Sequence, residues 1–223
     1  MNRRRALQIL AALGTTGLLT ACGDDAADGG STDTKSPIKI GLIAPQAGGL
    51  KAIGDEITNG FQLFLDLHDQ RLGGHPVTLL TADEGETVNS GKAAVDKLLQ
   101  QGVLALTGVV NSAVMLGIRD TVEQARVPLI GSNASPSTLA SVVYIWRTSY
   151  VLDEAGKALA GYLKEKLRPD DKLAIIVPDS VGGDDVVRGF RQEFGASDPR
   201  IAGAVIKTTA AANPGKTAYV QDI

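Results

Sequence analysis

Ile38-Lys39-Ile40-Gly41-Leu42-Ile43-Ala44 decides the fold, together with the turn Pro45-Gln46-Ala47-Gly48-Gly49 and the recurrence of Ile53, Ile57, Phe61, Phe64 and Leu65 that follows. A short apolar run rich in β-branched residues reads as a buried strand, and apolar residues three and four apart read as an amphipathic helix reaching Asp69. The same unit then repeats. Val77 to Ala82 is a strand, Asn89 to Gln101 a helix ending before Gly102, and Val103 to Val110 a strand. Ser112 to Ala125 is a helix, Val127 to Gly131 a strand and Ser132 to Ser137 a loop. Strands and helices alternating at this length specify a parallel sheet covered on both faces, an α/β architecture.

A helix from Glu154 to Leu167 and the break Arg168-Pro169-Asp170-Asp171 separate this series from a second one. Leu173 to Val177 reads as a strand, Asp184 to Phe194 as a helix and Ile201 to Lys207 as a strand. The expectation is two doubly wound parallel-sheet lobes, one over residues 38–150 and one, after a connecting helix, over 151–223. Thr217 to Ile223 reads as the opening of a helix rather than a finishing element, so the second lobe is expected to be incomplete.

With 43% hydrophobic and 21% charged residues in a chain of 223, a sizeable core can form. The balance of 22 Lys+Arg against 25 Asp+Glu leaves a net charge of -3, and only 4% of residues are aromatic. Neither a basic field nor a stacking platform is present, which argues against nucleic acid as a partner. Arg3-Arg4-Arg5, the mostly apolar run Ala6 to Leu19 and the small residues before Cys22 have the three-part form of an export signal. That run of fourteen residues is shorter than the roughly twenty that a spanning helix needs. Gly23 to Pro37, rich in Gly, Asp, Ser and Thr, reads as a flexible tether. Export through the twin-arginine or the general route stays open, since the triple arginine fits the longer pattern loosely.

Ligands of open parallel sheets sit beyond the carboxyl ends of the strands. The loops there are Pro45 to Ala52, Asp83 to Val88, Asn111 to Ala113, Ser132 to Ser137 and Asp179 to Gly183. None carries a phosphate loop, a dinucleotide fingerprint, a nucleophile elbow or a metal-ligand cluster. His68 and His75 read as exposed or turn histidines, and Asp83-Glu84-Gly85-Glu86 as a solvated turn rather than a cation site. Asp184 and Asp185 read as acids opposing a helix dipole. No catalytic residue, cofactor or metal is expected. What remains is a set of small polar groups at helix starts. Asn111-Ser112-Ala113 ends a strand and opens a helix, with backbone N–H groups and a hydroxyl free to meet a carboxylate. Ser132-Asn133-Ala134-Ser135-Pro136 repeats that arrangement, with Ser135 as cap and Pro136 as first helical residue. The alternative is that Ser112 and Ser135 only cap their own helices.

Several ordered pieces carry a family resemblance: Ile38 to Ile43, Asp55 to Phe61, Asp83-Glu84-Gly85, Leu106 to Ser112, Val127 to Ile130, Asn133 to Pro136, Trp146 to Ser149, Val177-Pro178-Asp179 and Gly189-Phe190. In that order they resemble the extracellular substrate-binding proteins of branched-chain amino acid type ABC transporters, which have the type I periplasmic binding fold. Leu19-Thr20-Ala21-Cys22 likewise resembles the lipobox of bacterial lipoproteins, with Cys22 as the lipidated residue. The resemblance implies a two-lobed clamp that binds a small solute, such as an amino acid or related carboxylate or amide, and hands it to an ABC transporter permease. Membrane attachment would come through the lipid, on the outer face of the cell membrane or in the periplasm. It also implies that Ser112 lies near the ligand carboxylate and that Asn133 to Ser135 supply carbonyl and hydroxyl partners. The expected ligand-binding residues are Gln46, Asn111, Ser112, Ala113, Asn133, Ala134, Ser135 and Ser180. The chain departs from the family after Asp179, where Ser180-Val181-Gly182-Gly183 stands in place of a covering aromatic residue. An extracytoplasmic sensor domain on the same fold is the alternative function; an enzyme lacks a visible nucleophile and base.

Overall fold

A computed structural model describes residues 35–208. The export signal with Cys22, the tether up to residue 34 and the reading of Thr217 to Ile223 lie outside the described residues. The element order is β1 (Ile38–Ala44), α1 (Lys51–Leu67), β2 (Arg71–Leu72), β3 (His75–Asp83), α2 (Val88–Gln100), β4 (Ala105–Gly108), α3 (Ser112–Ala125), β5 (Leu129–Gly131) and β6 (Ile145–Arg147). There follow α4 (Leu152–Lys166), β7 (Ile176–Pro178), α5 (Val181–Phe194) and β8 (Ile206–Thr208).

β1 lies inside a six-stranded sheet of order β2-β3-β1-β4-β5-β6, and every pairing is parallel except that of β2 with β3. The chain steps from β1 leftward to β3 through α1, then rightward to β4 and β5 through α2 and α3. Right-handed crossovers therefore put α1 on one face and α2 with α3 on the other. The main core forms on the α2–α3 side, where Ile43, Leu106, Leu129 and Ile145 meet Val95, Leu98, Val114, Met115 and Ile118. Along one register row of the opposite face, Leu42, Thr107, Ile130 and Trp146 stand side by side. Exposure rises along that row from 2% at Leu42 to 53% at Trp146.

β7 and β8 pair in parallel as a second sheet. Its helices α4 and α5 pack backbone against backbone. A Cβ at Gly156 would strike the Val186 carbonyl oxygen, and one at Gly189 would strike that of Asp153. Phe190 and Phe194 stack with centroids 5.0 Å apart and close the small core against Ala160.

The observed elements differ from the sequence reading at the edges. β2 and β6, two and three residues long, leave too little periodicity to read. The strand expected over Val103 to Val110 is confined to Ala105–Gly108, because Val109 adopts a positive φ of 65° and turns the chain out of the sheet. Leu173 makes only an isolated bridge to Ile201, so β7 begins at Ile176. No helix starts at Pro136, and Ser135 caps nothing: the backbone makes a turn at Ser137-Thr138 and continues as loop to β6. α5 begins at Val181, three residues before the expected Asp184.

The Gly156–Gly189 approach gives a stability prediction. Gly189→Ala forces α4 and α5 apart and should destabilise by about 1–3 kcal/mol. Gly161→Ala, on the open side of α4 with nothing within 4 Å, should be neutral or stabilise by up to about 1 kcal/mol. Chemical denaturation of the two variants checks the contrast.

Candidate functional site

The carboxyl ends of β1, β3, β4 and β5 carry the loops expected to bind. Asp83, at the end of β3, accepts the Gln46 N–H at 2.9 Å and the Gly85 N–H at 3.0 Å on one oxygen. Glu86 accepts the Gly49 N–H at 3.1 Å. Between them, Glu84 is fully buried and accepts the Val110 N–H at 2.8 Å and the Asn111 N–H at 2.7 Å, one on each oxygen. The segment is therefore not the solvated turn expected from the sequence. It is a row of acceptors for the loops beyond β1 and β4. Desolvation raises the Glu84 carboxyl to about 7, opposed by its two backbone hydrogen bonds and assisted by the neighbouring charge of Asp83.

Gly108 and Val109 make the turn that brings Val110 and Asn111 to Glu84. Gly108 has a φ of 104°, and a Cβ there would strike the Ile43 carbonyl oxygen. Val109 is a β-branched residue held in the left-handed region, a strained conformation that persists only where surrounding bonds enforce it. Its N–H donates to Ile43 O at 2.8 Å, and its carbonyl accepts from Ala134 N at 2.9 Å.

Asn111, not Ser112, caps α3: its side chain accepts the Ala113 N–H at 2.8 Å. The expected free N–H groups are thus reduced, since those of Asn111 and Ala113 are occupied. The Ser112 N–H and hydroxyl have no hydrogen-bond partner among the described residues. Asn133 joins the two loops by donating from Nδ2 to Val110 O at 3.2 Å, and its own carbonyl accepts from Ser149 Oγ at 3.0 Å. Ala134 is buried. Ser135 is fully buried with an unpartnered hydroxyl, and its carbonyl accepts the Leu152 N–H at 3.1 Å.

Ser180 caps α5, accepting the Gly183 N–H at 3.1 Å. An ideal Cβ at Gly182 would stand 3.8 Å from Ser180 Oγ and 4.0 Å from Ser112 Oγ, so the starts of α3 and α5 face each other across Gly182. Gln46 lies apart at the exposed rim. Asp185 also differs from its expected role. Its carboxylate is buried and accepts the Ser137 N–H at 2.7 Å and the Ser137 hydroxyl at 3.1 Å, and it pairs with Arg188. It clasps α5 to the loop beyond β5 instead of opposing its own helix dipole. Asp184 remains exposed and pairs with Lys207.

Sequence reasoning missed Glu84 and Asp185 as organising residues. For Glu84 the available signal was an acid directly after a buried strand; for Asp185 local pattern offers none. Among the described residues no group of acids, histidines or cysteines could hold a metal ion.

Two α/β sheets, with the starts of α3 and α5 facing each other beyond the carboxyl ends of their strands, define the architecture. The family model of periplasmic binding proteins matches residues 37–223, and the chain belongs to that family. It is 27% identical over 163 residues to the Leu/Ile/Val-binding protein BraC3 of Rhizobium johnstonii, covering 71% of this chain and 44% of that protein. A Rhodopseudomonas palustris ABC transporter solute-binding protein, solved with 4-hydroxybenzoate, superposes with a TM-score of 0.70 at 25% identity over 78% of this chain and 48% of its own. The branched-chain amino acid substrate-binding protein LivJ of Streptococcus pneumoniae, solved with isoleucine, has the same fold at a TM-score of 0.71 and 21% identity, covering 84% and 53%. The fold is the type I periplasmic binding fold. The chain spans about half the length of the curated relatives it matches.

The Asp185 clasp is testable apart from any ligand. Asp185→Ala leaves the Ser137 N–H without its acceptor and should destabilise by about 1–3 kcal/mol. In hydrogen exchange the Ser137 amide should lose protection while amides of β1 and β4 keep theirs.

Proposed function

We propose that this chain is the solute-binding part of an ABC transport system and takes a small organic carboxylate between its two lobes, residues 38–150 and 151–223. The observation that carries the reading is that Ser112 and Ser180 stand at facing helix starts, both within reach of Gly182, in a chain of the periplasmic binding protein family. Donors of this kind suit a carboxylate: unpaired N–H groups at positive helix ends, with hydroxyls beside them. A branched-chain amino acid is the first candidate, on the strength of the Leu/Ile/Val-binding relatives.

An aromatic carboxylate is the second, and a specific observation favours it. An amino acid's ammonium is best met by an acidic partner, and among the described residues the acids at these loops are engaged. Asp83, Glu84, Glu86 and Asp185 hold backbone N–H groups, and Asp179 and Asp184 pair with Lys207. One relative of known structure carries 4-hydroxybenzoate. Delivery to a membrane permease, export and lipid attachment through Cys22 belong to the same proposal.

A thermal-shift screen against branched-chain amino acids and benzoates tests the reading. A ligand at a hundred times its Kd adds about 2.7 kcal/mol, or roughly 5–11 °C in Tm for a chain of this size. Ser112→Ala should weaken binding roughly tenfold to a hundredfold, the loss of one hydrogen bond to a charged group. No shift with any small carboxylate rejects the proposal. Separately, Cys22→Ser should abolish incorporation of a labelled fatty acid and release the protein from the membrane fraction.

A further inference from the structure

Glu84 touches none of the residues expected to meet a ligand through its own side chain except by their backbone. Both of its oxygens face inward, one receiving the Val110 N–H and the other the Asn111 N–H. Its own N–H donates to Ala44 O at 3.1 Å, so the carboxylate is fixed from the sheet side. The residue before its two partners is Val109, whose left-handed backbone is strained and relaxes if its anchors are released. The residue after them is Ser112, the first residue of α3. We propose that Glu84 is the positioning residue of the solute site: its carboxylate clamps Val110 and Asn111, and a proton on that carboxylate opens the clamp and lowers solute affinity. The inference deepens the function proposed above and rests on it.

The chemistry follows from donor and acceptor counts. An ionised carboxylate offers only acceptors, which match two N–H donors. Once protonated, one oxygen carries a donor of its own and becomes a poorer, uncharged acceptor, so the bond from the N–H at that oxygen weakens and the new O–H needs a partner. Glu84 is fully buried, so bulk solvent does not compensate the weakened pair.

The charges around Glu84 are few. Asp83 precedes it on β3 and acts on it directly. Glu86 in the following loop is turned to Gly49. The first turns of α2 (Val88, Asn89, Ser90) and of α3 (Ser112, Ala113, Val114) are uncharged, as are Pro45 to Leu50 beyond β1 and Gly108 to Val110 beyond β4. His75 begins β3 and Glu84 follows its last residue, Asp83, so the histidine lies at the far end of the strand; His68 ends α1 and is stacked on Phe64. With the carboxyl raised to about 7, the clamp operates between pH 6 and 8.

The sign of the stability change separates positioning from support. The folded-state value is raised above the ordinary 4.5, so the folded protein binds this proton more tightly than the unfolded chain. Acidification from pH 8 to 6 therefore stabilises the fold through Glu84 while it loosens the loop. A group that merely supported the structure would move stability and affinity together. Here they move in opposite directions.

The test uses the full chain. In the ligand-free protein, the amide resonances of Val110 and Asn111 are followed from pH 5.5 to 8.5; they should shift together along one titration curve and stay flat in Glu84→Gln. For whichever small carboxylate the thermal screen identifies, affinity should fall about tenfold from pH 8 to 6, as the clamped fraction falls by that factor. Glu84→Gln should bind weakly at both values, and Glu84→Asp should restore part of the dependence. Amides that do not titrate, or wild-type affinity in a folded Glu84→Gln, overturn the proposal. If the amides titrate but no solute binds, the clamp stands and the solute-binding reading fails.

Discussion

The loops beyond β1 and β4 leave peptide N–H groups that no strand pairs, and carboxylates satisfy them: Asp83 and Glu86 at the exposed rim, Glu84 in the interior. The arrangement is energetically close to balance at Glu84. Taking a carboxylate out of water costs several kcal/mol, and each charged hydrogen bond returns about 1.5–3 kcal/mol. Two such bonds do not fully offset the loss of hydration. That is why desolvation leads the causes and the carboxyl rises to about 7 although both its bonds favour the anion. The loop beyond β4 thus hangs on a group that is nearly as content neutral as charged.

The fold was legible wherever an element was long enough to show its period. β1 and α3 have the bounds read from sequence, because Ile38 to Ala44 is a continuous apolar run and the apolar residues of Ser112 to Ala125 recur on one face. β2 and β6 were not read: both are short and lie at the two edges of the sheet, where a single neighbour pairs with each. Proline misled at Ser135-Pro136, where a favourable cap and first-turn pair met no following helix. The loop instead serves Val109, Arg147 and Leu152 through the Ala134 N–H and the Pro136 and Ser135 carbonyls.

The candidate site was legible in its loops and not in its supports. Ser112 and Ser180 could be placed at helix starts because they follow strands and open or precede helices, and Asn133 in a loop because it follows β5. Glu84 and Asp185 could not, because what defines them is a partner 26 or 48 residues away. A local pattern distinguishes a solvated acid from a buried one only through its neighbours in space. The two acids also divide the labour: Glu84 fixes a loop within the first sheet, and Asp185 fixes α5, from beyond the second sheet, against the loop after β5.

The donors proposed for the solute at the starts of α3 and α5 are a peptide N–H group and hydroxyls, those of Ser112 and Ser180. This suits the proposed role. A guanidinium grips a carboxylate through two charge-assisted bonds and holds it long after the site opens. Helix starts and hydroxyls gain their strength from alignment and from the exclusion of water. On the proposed role, separating α3 from α5 would remove both at once, and affinity would fall steeply with opening. Such a site would be sensitive to the orientation of its backbone groups, and Glu84 holds the peptide groups of Val110 and Asn111 that lead into Ser112.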